Sequence, residues 1–185
     1  NGAAATANLT LTIGSTGVNT FRGGIGDDAV TLTGGTNDVQ TGEGDDIITT
    51  TTNLALGDRI DGGNGTDTFE VIHTGLATIP TTANLVSIER FAIQDTVHQS
   101  LDFSALTSIT GIELDSGTTV DNATIDTALG SGQSLTLDSI TDGDTAAASL
   151  SDGGIKISQP NSTTSLDLTL DDIGPAAAST NENVV

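Results

Sequence analysis

Large apolar residues recur every nine positions through the first third of the chain. Phe21, Val30, Val39 and Ile48 hold the eighth place of four consecutive nonapeptides between Gly14 and Thr49. Three threonines, Thr50 to Thr52, then shift the frame. Ile60 and Phe69 resume the eighth place in two further nonapeptides, 53–61 and 62–70. This period fits neither a helix nor a lone strand, but short blocks at a fixed period are the mark of a stacked solenoid. Each apolar residue is expected to start a short strand and point into a thin core, with two nonapeptides per coil.

The pattern changes after Glu70 without losing its β character. Leu85-Val-Ser-Ile88-Glu-Arg-Phe91-Ala-Ile93 aligns with Leu106-Thr-Ser-Ile109-Thr-Gly-Ile112-Glu-Leu114. That spacing suits one turn of a larger β-helix. Alternating runs follow at Leu135-Thr-Leu137, Ile155-Lys-Ile157 and Leu166 to Leu170, separated by Gly, Asp and Ser clusters. A short helix is expected over 120–129, with Asp121 as its N-cap. The chain therefore divides into a lead-in strand (1–13), a roll (14–70), a β-rich segment (71–174) and a tail (175–185). Ile79-Pro80-Thr81-Thr82 is the expected bend. The fold class is all-β: a parallel β-roll continuing into a β-helix or a β-sandwich-like segment.

The polar positions of the nonapeptides carry the chemistry. The copy Gly23-Gly24-Ile25-Gly26-Asp27-Asp28-Ala29-Val30-Thr31 satisfies every defined place of G-G-x-G-x-D-x-U-x, as does Gly62 to Glu70. Glycines supply the positive φ of a tight turn, and the sixth residue projects an oxygen ligand from it. Calcium takes six to eight oxygens, which turn carbonyls and carboxylates provide. With two repeats per coil, alternate repeats fall on the same side. One side carries Asp28, Asp46 and Asp67, with Gly24, Gly26, Gly42, Gly44, Gly63 and Gly65 in the turns. The other carries Asn19, Asn37 and Asp58, where neutral amides replace two carboxylates. Calcium is expected between the turns of Asp28 and Asp46 and between those of Asp46 and Asp67, and more weakly on the second side. A single Gly-Asp pair is ordinary turn chemistry; six copies, four of them contiguous at a fixed period of nine, are not.

Charge sharpens this reading. The chain has 25 acidic and 4 basic residues, a net charge of -21. Nucleic acid and anionic membrane surfaces are disfavoured as partners, because both need Lys and Arg. A multivalent cation is the natural complement. Leu, Ile, Val and Phe make up 46 of 185 residues, enough to favour folding over disorder. Only 2% of residues are aromatic, which suits a thin solenoid better than a bulky core. There is no Cys, so bracing by metal rather than by disulfides is expected. There is no Met either, which suggests a processed or excised chain. No apolar run is long enough to span a membrane.

Residues 14–70 resemble the repeats-in-toxin (RTX) family of bacterial secreted proteins. The resemblance implies calcium-loaded parallel β-rolls, export by type I secretion, and a chain that folds only on meeting extracellular calcium. Electrostatics agree: residues 14–70 hold ten carboxylates against Arg22 and Arg59, so the metal-free segment repels itself and metal binding couples to folding. The third and fifth repeats depart from the motif. Leu101 to Leu114 also looks like RTX-type surface-layer proteins, whose calcium-driven assembly on the cell surface this resemblance implies.

Catalytic signals are lacking, and the chain is not expected to be an enzyme. His73 and His98 lack metal-protease spacing, no G-x-S-x-G elbow occurs, and Gly23 to Gly26 lacks the Lys of a phosphate loop. Asp171-Asp172 and Asp142-Gly143-Asp144 read as surface acids, the latter with some calcium potential. Asn8, Asn122 and Asn161 begin glycosylation sequons. Arg22, Arg59, Arg90 and Lys156 are expected to pair with nearby acids or to meet a neighbouring subunit. The leading expectation is a calcium-stabilised building block of an extracellular bacterial assembly, with self-association and cell-surface polysaccharide as its contacts. The runner-up is a calcium-binding module of a larger secreted adhesin or hydrolase. A Thr-rich face around Thr49 to Thr52 raises a weaker third reading, binding of carbohydrate or ice.

Overall fold

A computed structural model describes residues 6–14, 16–55, 57–72, 85–94, 96–97, 101–114, 119–120, 124–138, 141–142, 154–158 and 168–171. These residues contain strands and turns and no helix. The strands of the first half are β1 (Thr10–Ile13), β2 (Val18–Ile25), β3 (Ala29–Leu32), β4 (Thr36–Glu43), β5 (Ile47–Thr50), β6 (Arg59–Asn64), β7 (Thr68–Val71) and β8 (Leu85–Val86). Those of the second half are β9 (Arg90–Ile93), β10 (Thr96–Val97), β11 (Leu101–Asp102), β12 (Gly111–Leu114), β13 (Thr119–Val120), β14 (Thr124–Ala128), β15 (Ser134–Asp138), β16 (Thr141–Asp142), β17 (Gly154–Ser158) and β18 (Leu168–Asp171).

All described pairings are parallel, and the strands wind into a β-solenoid. One eight-stranded sheet, β1-β3-β5-β7-β9-β12-β15-β18, runs through both halves. In the first half each coil adds one strand to a second sheet, β2-β4-β6-β8, giving a two-sided roll. In the second half each coil contributes to two small sheets, β10-β13-β16 and β11-β14-β17, giving a three-sided β-helix. The sandwich alternative is therefore set aside, and roll and helix share one continuous sheet. Coils are 18 residues apart at Asp28 and Asp46 and 21 apart at Asp46 and Asp67. The three-threonine insertion is absorbed in the loop after β5, leaving the sheet register unbroken at Ile48↔Phe69.

The eighth-place residues form the core. Val30, Val39, Ile48, Ile60 and Phe69 are at most 1% exposed, and Phe21, in the first coil, 8%. The second repeat also holds: Phe91 pairs with Ile112 and Ile93 with Leu114. Where two sides become three, Phe69, Phe91 and Phe103 stack with ring centroids 5.6 and 5.3 Å apart. Three of the four phenylalanines thus fill the wider cross-section at that junction, in the tilted and edge-on geometries aromatic rings prefer.

Two sequence expectations need correction. The helix over 120–129 is absent: Thr124–Ala128 is strand β14, with Ile125 and Thr127 in register with Ile155 and Ile157. The branched residues Thr124, Ile125 and Thr127 favour extended backbone, and a parallel partner on either side outweighs a single N-cap. The Gly-Gly pairs, expected in turns, lie in strands: Gly23 and Gly24 in β2, Gly42 in β4, Gly62 and Gly63 in β6. The turn proper is shorter, running from the second glycine column to the sixth-place acid. The bend at Ile79 to Thr82, the tail over 175–185, His73, His98, Asp144, Asp172, Asn122 and Asn161 lie outside the described residues.

Candidate metal site: a column of buried carboxylates

Stacking two coils at strand spacing leaves no room for side chains at the turns, and glycine meets that demand. Gly24, Gly42 and Gly63 share one register column. A Cβ on Gly42 would lie 2.4 Å from Gly24 O, and one on Gly63 2.0 Å from Gly42 O. Gly26, Gly44 and Gly65 form the second column, where a Cβ on Gly44 would lie 2.5 Å from Gly26 O and one on Gly65 1.9 Å from Gly44 O. Gly26, Gly42, Gly44, Gly63 and Gly65 take φ between +104° and +140°, a region that L-residues avoid. Gly24 does not share that conformation; its part is close approach, not turn geometry. The result is two files of backbone carbonyls aimed along the solenoid axis.

Beside these files runs a ladder of acids. The Asp28 amide donates to Asp46 Oδ1 (2.6 Å), the Asp46 amide to Asp67 Oδ1 (2.9 Å), and the Asp67 amide to Glu89 Oε2 (3.0 Å). At the other end the Leu9 amide donates to Asp28 Oδ1 (2.9 Å). Asp28, Asp46 and Asp67 are 3%, 0% and 0% exposed. One oxygen of each is thus satisfied by the neighbouring coil. The other, Oδ2 of Asp28, Asp46 and Asp67, is buried without a hydrogen-bond partner.

An unpaired buried carboxylate costs several kcal/mol, so the group takes up a proton or needs a cation. Burial pushes Asp67 up to about 6, with the charges of Asp46, Glu89 and Asp45 adding to it and the Asp46 amide pulling the other way. Burial raises Asp46 too, against the Asp28 amide and the nearby Thr41 hydroxyl, although that hydroxyl's one proton is directed to Gly62 O at 2.8 Å. No described cation of the chain offsets this column. Arg22 pairs with Asp38 (2.7 Å), Arg59 with Asp61 (2.8 Å) and Arg90 with Glu113 (3.0 Å). The expectation that the arginines pair locally therefore holds for these three.

The free oxygens face small cradles. The position of a Cβ on Gly23 would be 2.5 Å from Asp28 Oδ2 and 1.9 Å from Thr41 O. That on Gly62 would be 2.4 Å from Asp67 Oδ2 and 2.2 Å from Ser87 O. A carboxylate oxygen and a carbonyl oxygen from the next coil thus converge above each glycine. At the coil between, Thr41 occupies the equivalent place, fully buried, and its hydroxyl donates to Gly62 O (2.8 Å).

The second side is built differently. Asn19 Nδ2 donates to Asn37 Oδ1 (3.0 Å), and both the amide nitrogen and Nδ2 of Asn37 donate to Asp58 Oδ1 (2.6 and 3.3 Å). The Ala55 amide donates to Asp58 Oδ2. Asn37 and Asp58 are as buried as the aspartates opposite, yet both carboxylate oxygens of Asp58 have donors.

The structure stacks Asp28, Asp46 and Asp67 on one side of the roll, beside the glycine files, and Asn19, Asn37 and Asp58 on the other. It also adds what the motif does not mark. Glu89 is the fourth rung of the acid ladder. An outer, exposed ladder accompanies it: the Asp27 amide donates to Asn8 Oδ1, the Asp45 amide to Asp27 Oδ1, and the Thr66 amide to Asp45 Oδ1. The fifth-place acids Asp27 and Asp45 were the sequence signal for it. Among the described residues no three His, Asp or Glu side chains converge as a metal site by themselves, so any ion held here takes backbone carbonyls as part of its shell. All available ligands are hard oxygens, the set that suits calcium.

Comparison with protein-family models, with curated proteins and with solved structures gave no match.

Proposed function

We propose that this chain is a calcium-stabilised structural subunit of an extracellular bacterial assembly, a surface layer or a filament. The observation that carries the calcium part is the stack of three buried carboxylates, each with an oxygen left without a donor. A divalent ion between successive turns neutralises two rungs at once and draws the carbonyl files into its shell. Without it the roll must bury charge or take up protons, so folding and calcium binding become one event. Such a chain stays unfolded at low cytoplasmic calcium and folds outside the cell.

The assembly part rests on the solenoid's first coil. Among the described residues β1 and β2 have a neighbour on one side only. Leu11 and Val18, on those strands, are 41% and 80% exposed. A strand edge of this kind is a template for pairing with another chain. A second reading, a calcium-binding module of a larger secreted adhesin or hydrolase, draws support from the ladder being complete within one chain and needing no neighbour.

Light scattering with negative-stain microscopy, during titration with calcium and then chelator, tests the proposal. Ordered sheets or fibres that form with calcium and dissolve with chelator are expected. A chain that gains β-structure yet stays monomeric would leave the module reading, and a chain indifferent to calcium would remove both.

A further inference from the structure

The last recognisable nonapeptide ends at Glu70, but the acid ladder does not end there. Strand β8 continues the second sheet with Ile60 paired to Leu85 and Asp61 to Val86. The next residues, Gly62 and Ser87, are therefore counterparts. From Gly62 the chain takes six residues to reach its acid, Asp67. From Ser87 it takes three, ending at Glu89. The turn is shorter and the side chain is longer by one methylene, so Glu89 Oε2 still reaches the Asp67 amide at 3.0 Å. Both differences hide this coil from a search for the nonapeptide.

Three observations converge on the space between these turns. Asp67 Oδ2 is fully buried and has no donor. Ser87 O faces the same cradle above Gly62, 2.2 Å from where a Cβ would stand, with Asp67 Oδ2 at 2.4 Å. Ser87 is the one non-glycine residue with positive φ among the described residues, at 50°, the conformation in which its carbonyl meets that cradle.

We infer that a further calcium site lies between the Gly62–Asp67 turn and Ser87–Glu89, built from Asp67, Glu89 and the Ser87 carbonyl. This inference rests on the calcium reading above and extends the ion column one coil beyond the repeats. It also marks where the column stops. In the next coil the amides of Thr110 and Gly111 donate to Glu89 O, and the matching side chain is a neutral threonine. One coil further Gln133 sits at this register, buried, donating to Phe103 O and Leu106 O and accepting from the Gly130 amide. From there on the column supplies its own donors.

The test is calcium stoichiometry by equilibrium dialysis of the full chain against Glu89→Gln. The amide keeps an acceptor for the Asp67 N–H and removes the charge. One fewer calcium per chain is expected, with the calcium-induced β signal retained. A parallel measurement needs no variant: trace Mn2+ added to the calcium-loaded wild type should broaden the amide resonances of Ser87, Ile88 and Glu89 together with those of the Asp28 and Asp46 turns. Unchanged stoichiometry in Glu89→Gln, or sharp Ser87 to Glu89 amides beside broadened Asp28 and Asp46 turns, overturns this inference and leaves the calcium reading standing. A wild type that binds no calcium overturns both.

Discussion

Two columns of polar residues run along the roll, one on each side of the same coils, and they solve the same problem in opposite ways. Asp28, Asp46 and Asp67 present six carboxylate oxygens, and half of them have no donor. Asn19, Asn37 and Asp58 are stacked alike, but the asparagine amides bring protons with them, and the Ala55 amide covers the remaining oxygen. A buried acceptor is cheap when a donor stands beside it and expensive when none does. One side of the roll is thus complete as a protein, and the other is complete only with a proton or a cation. Gln133, inside the β-helix, repeats the asparagine solution by bringing its own donors.

The largest effect expected is removal of calcium itself. Chelation should abolish most of the β signal in circular dichroism, because the acid column spans every coil of the roll. At calcium a thousandfold above its dissociation constant, a single site adds about 4 kcal/mol. A β signal unaffected by chelator would show that the two columns do not differ in what they need.

Next come backbone substitutions that affect both columns alike. Gly42→Ala places a Cβ 2.4 Å from Gly24 O at a φ of +122°. It should cost about 3 kcal/mol or more in denaturant unfolding of the calcium-loaded chain. Gly132→Ala, at φ +81° with nothing within 4 Å, should cost about 1 kcal/mol. Similar losses would mean that the coils part to admit a methyl group.

The comparison is sharpest in paired side-chain variants. Asp46 takes part in two of the expected sites, so Asp46→Asn should lower calcium affinity by about one to two orders of magnitude by calorimetry, through loss of a charged ligand. Asn37→Ala should lower stability by about 1–2 kcal/mol through its lost hydrogen bonds, with calcium affinity nearly unchanged. Equal affinity losses would sink the distinction between the sides.

Acidity gives a reversed sign in the absence of metal. Asp67 has a folded value of about 6 against an ordinary 3.8. Between these values the folded chain holds more protons than the unfolded one, so stability falls as pH rises through that window. The metal-free chain should therefore regain β structure near pH 4.5 that it lacks near pH 7.5, folding being favoured at the lower pH by on the order of 1–3 kcal/mol. With calcium the trend inverts, because protons compete for the same oxygen below about pH 6. Circular dichroism at both pH values, with chelator and with calcium, measures this. The smallest effect is expected at Arg90→Gln, which breaks the exposed pair with Glu113 and should change stability by less than about 1 kcal/mol.

Much of the roll was legible in the sequence because its rules are local. The nine-residue period places Val30, Val39, Ile48, Ile60 and Phe69 in the core, and two repeats per coil separate the aspartates from the asparagines. The later coils were harder to read. Strands such as β10 and β13 are two residues long, too short for alternation to show, so the third side of the helix left no pattern. The stretch over 120–129 carries a helix start signal at Asp121, but Thr124 to Ala128 pairs as a strand, since partners from distant coils are invisible to local propensity. Glu89 was passed over because a shorter turn and a longer acid reach the same amide as the motif does. The outer ladder of Asp27 and Asp45 lay in a place the motif leaves undefined.

The most direct measurement is anomalous scattering from crystals of the chain grown with calcium. The account predicts peaks between the turns of Asp28, Asp46 and Asp67, within bonding distance of the Oδ2 atoms that lack donors, and weaker peaks or none along Asn19, Asn37 and Asp58. A calcium-soaked crystal with no peak at those oxygens, or with equal peaks in both columns, would contradict it.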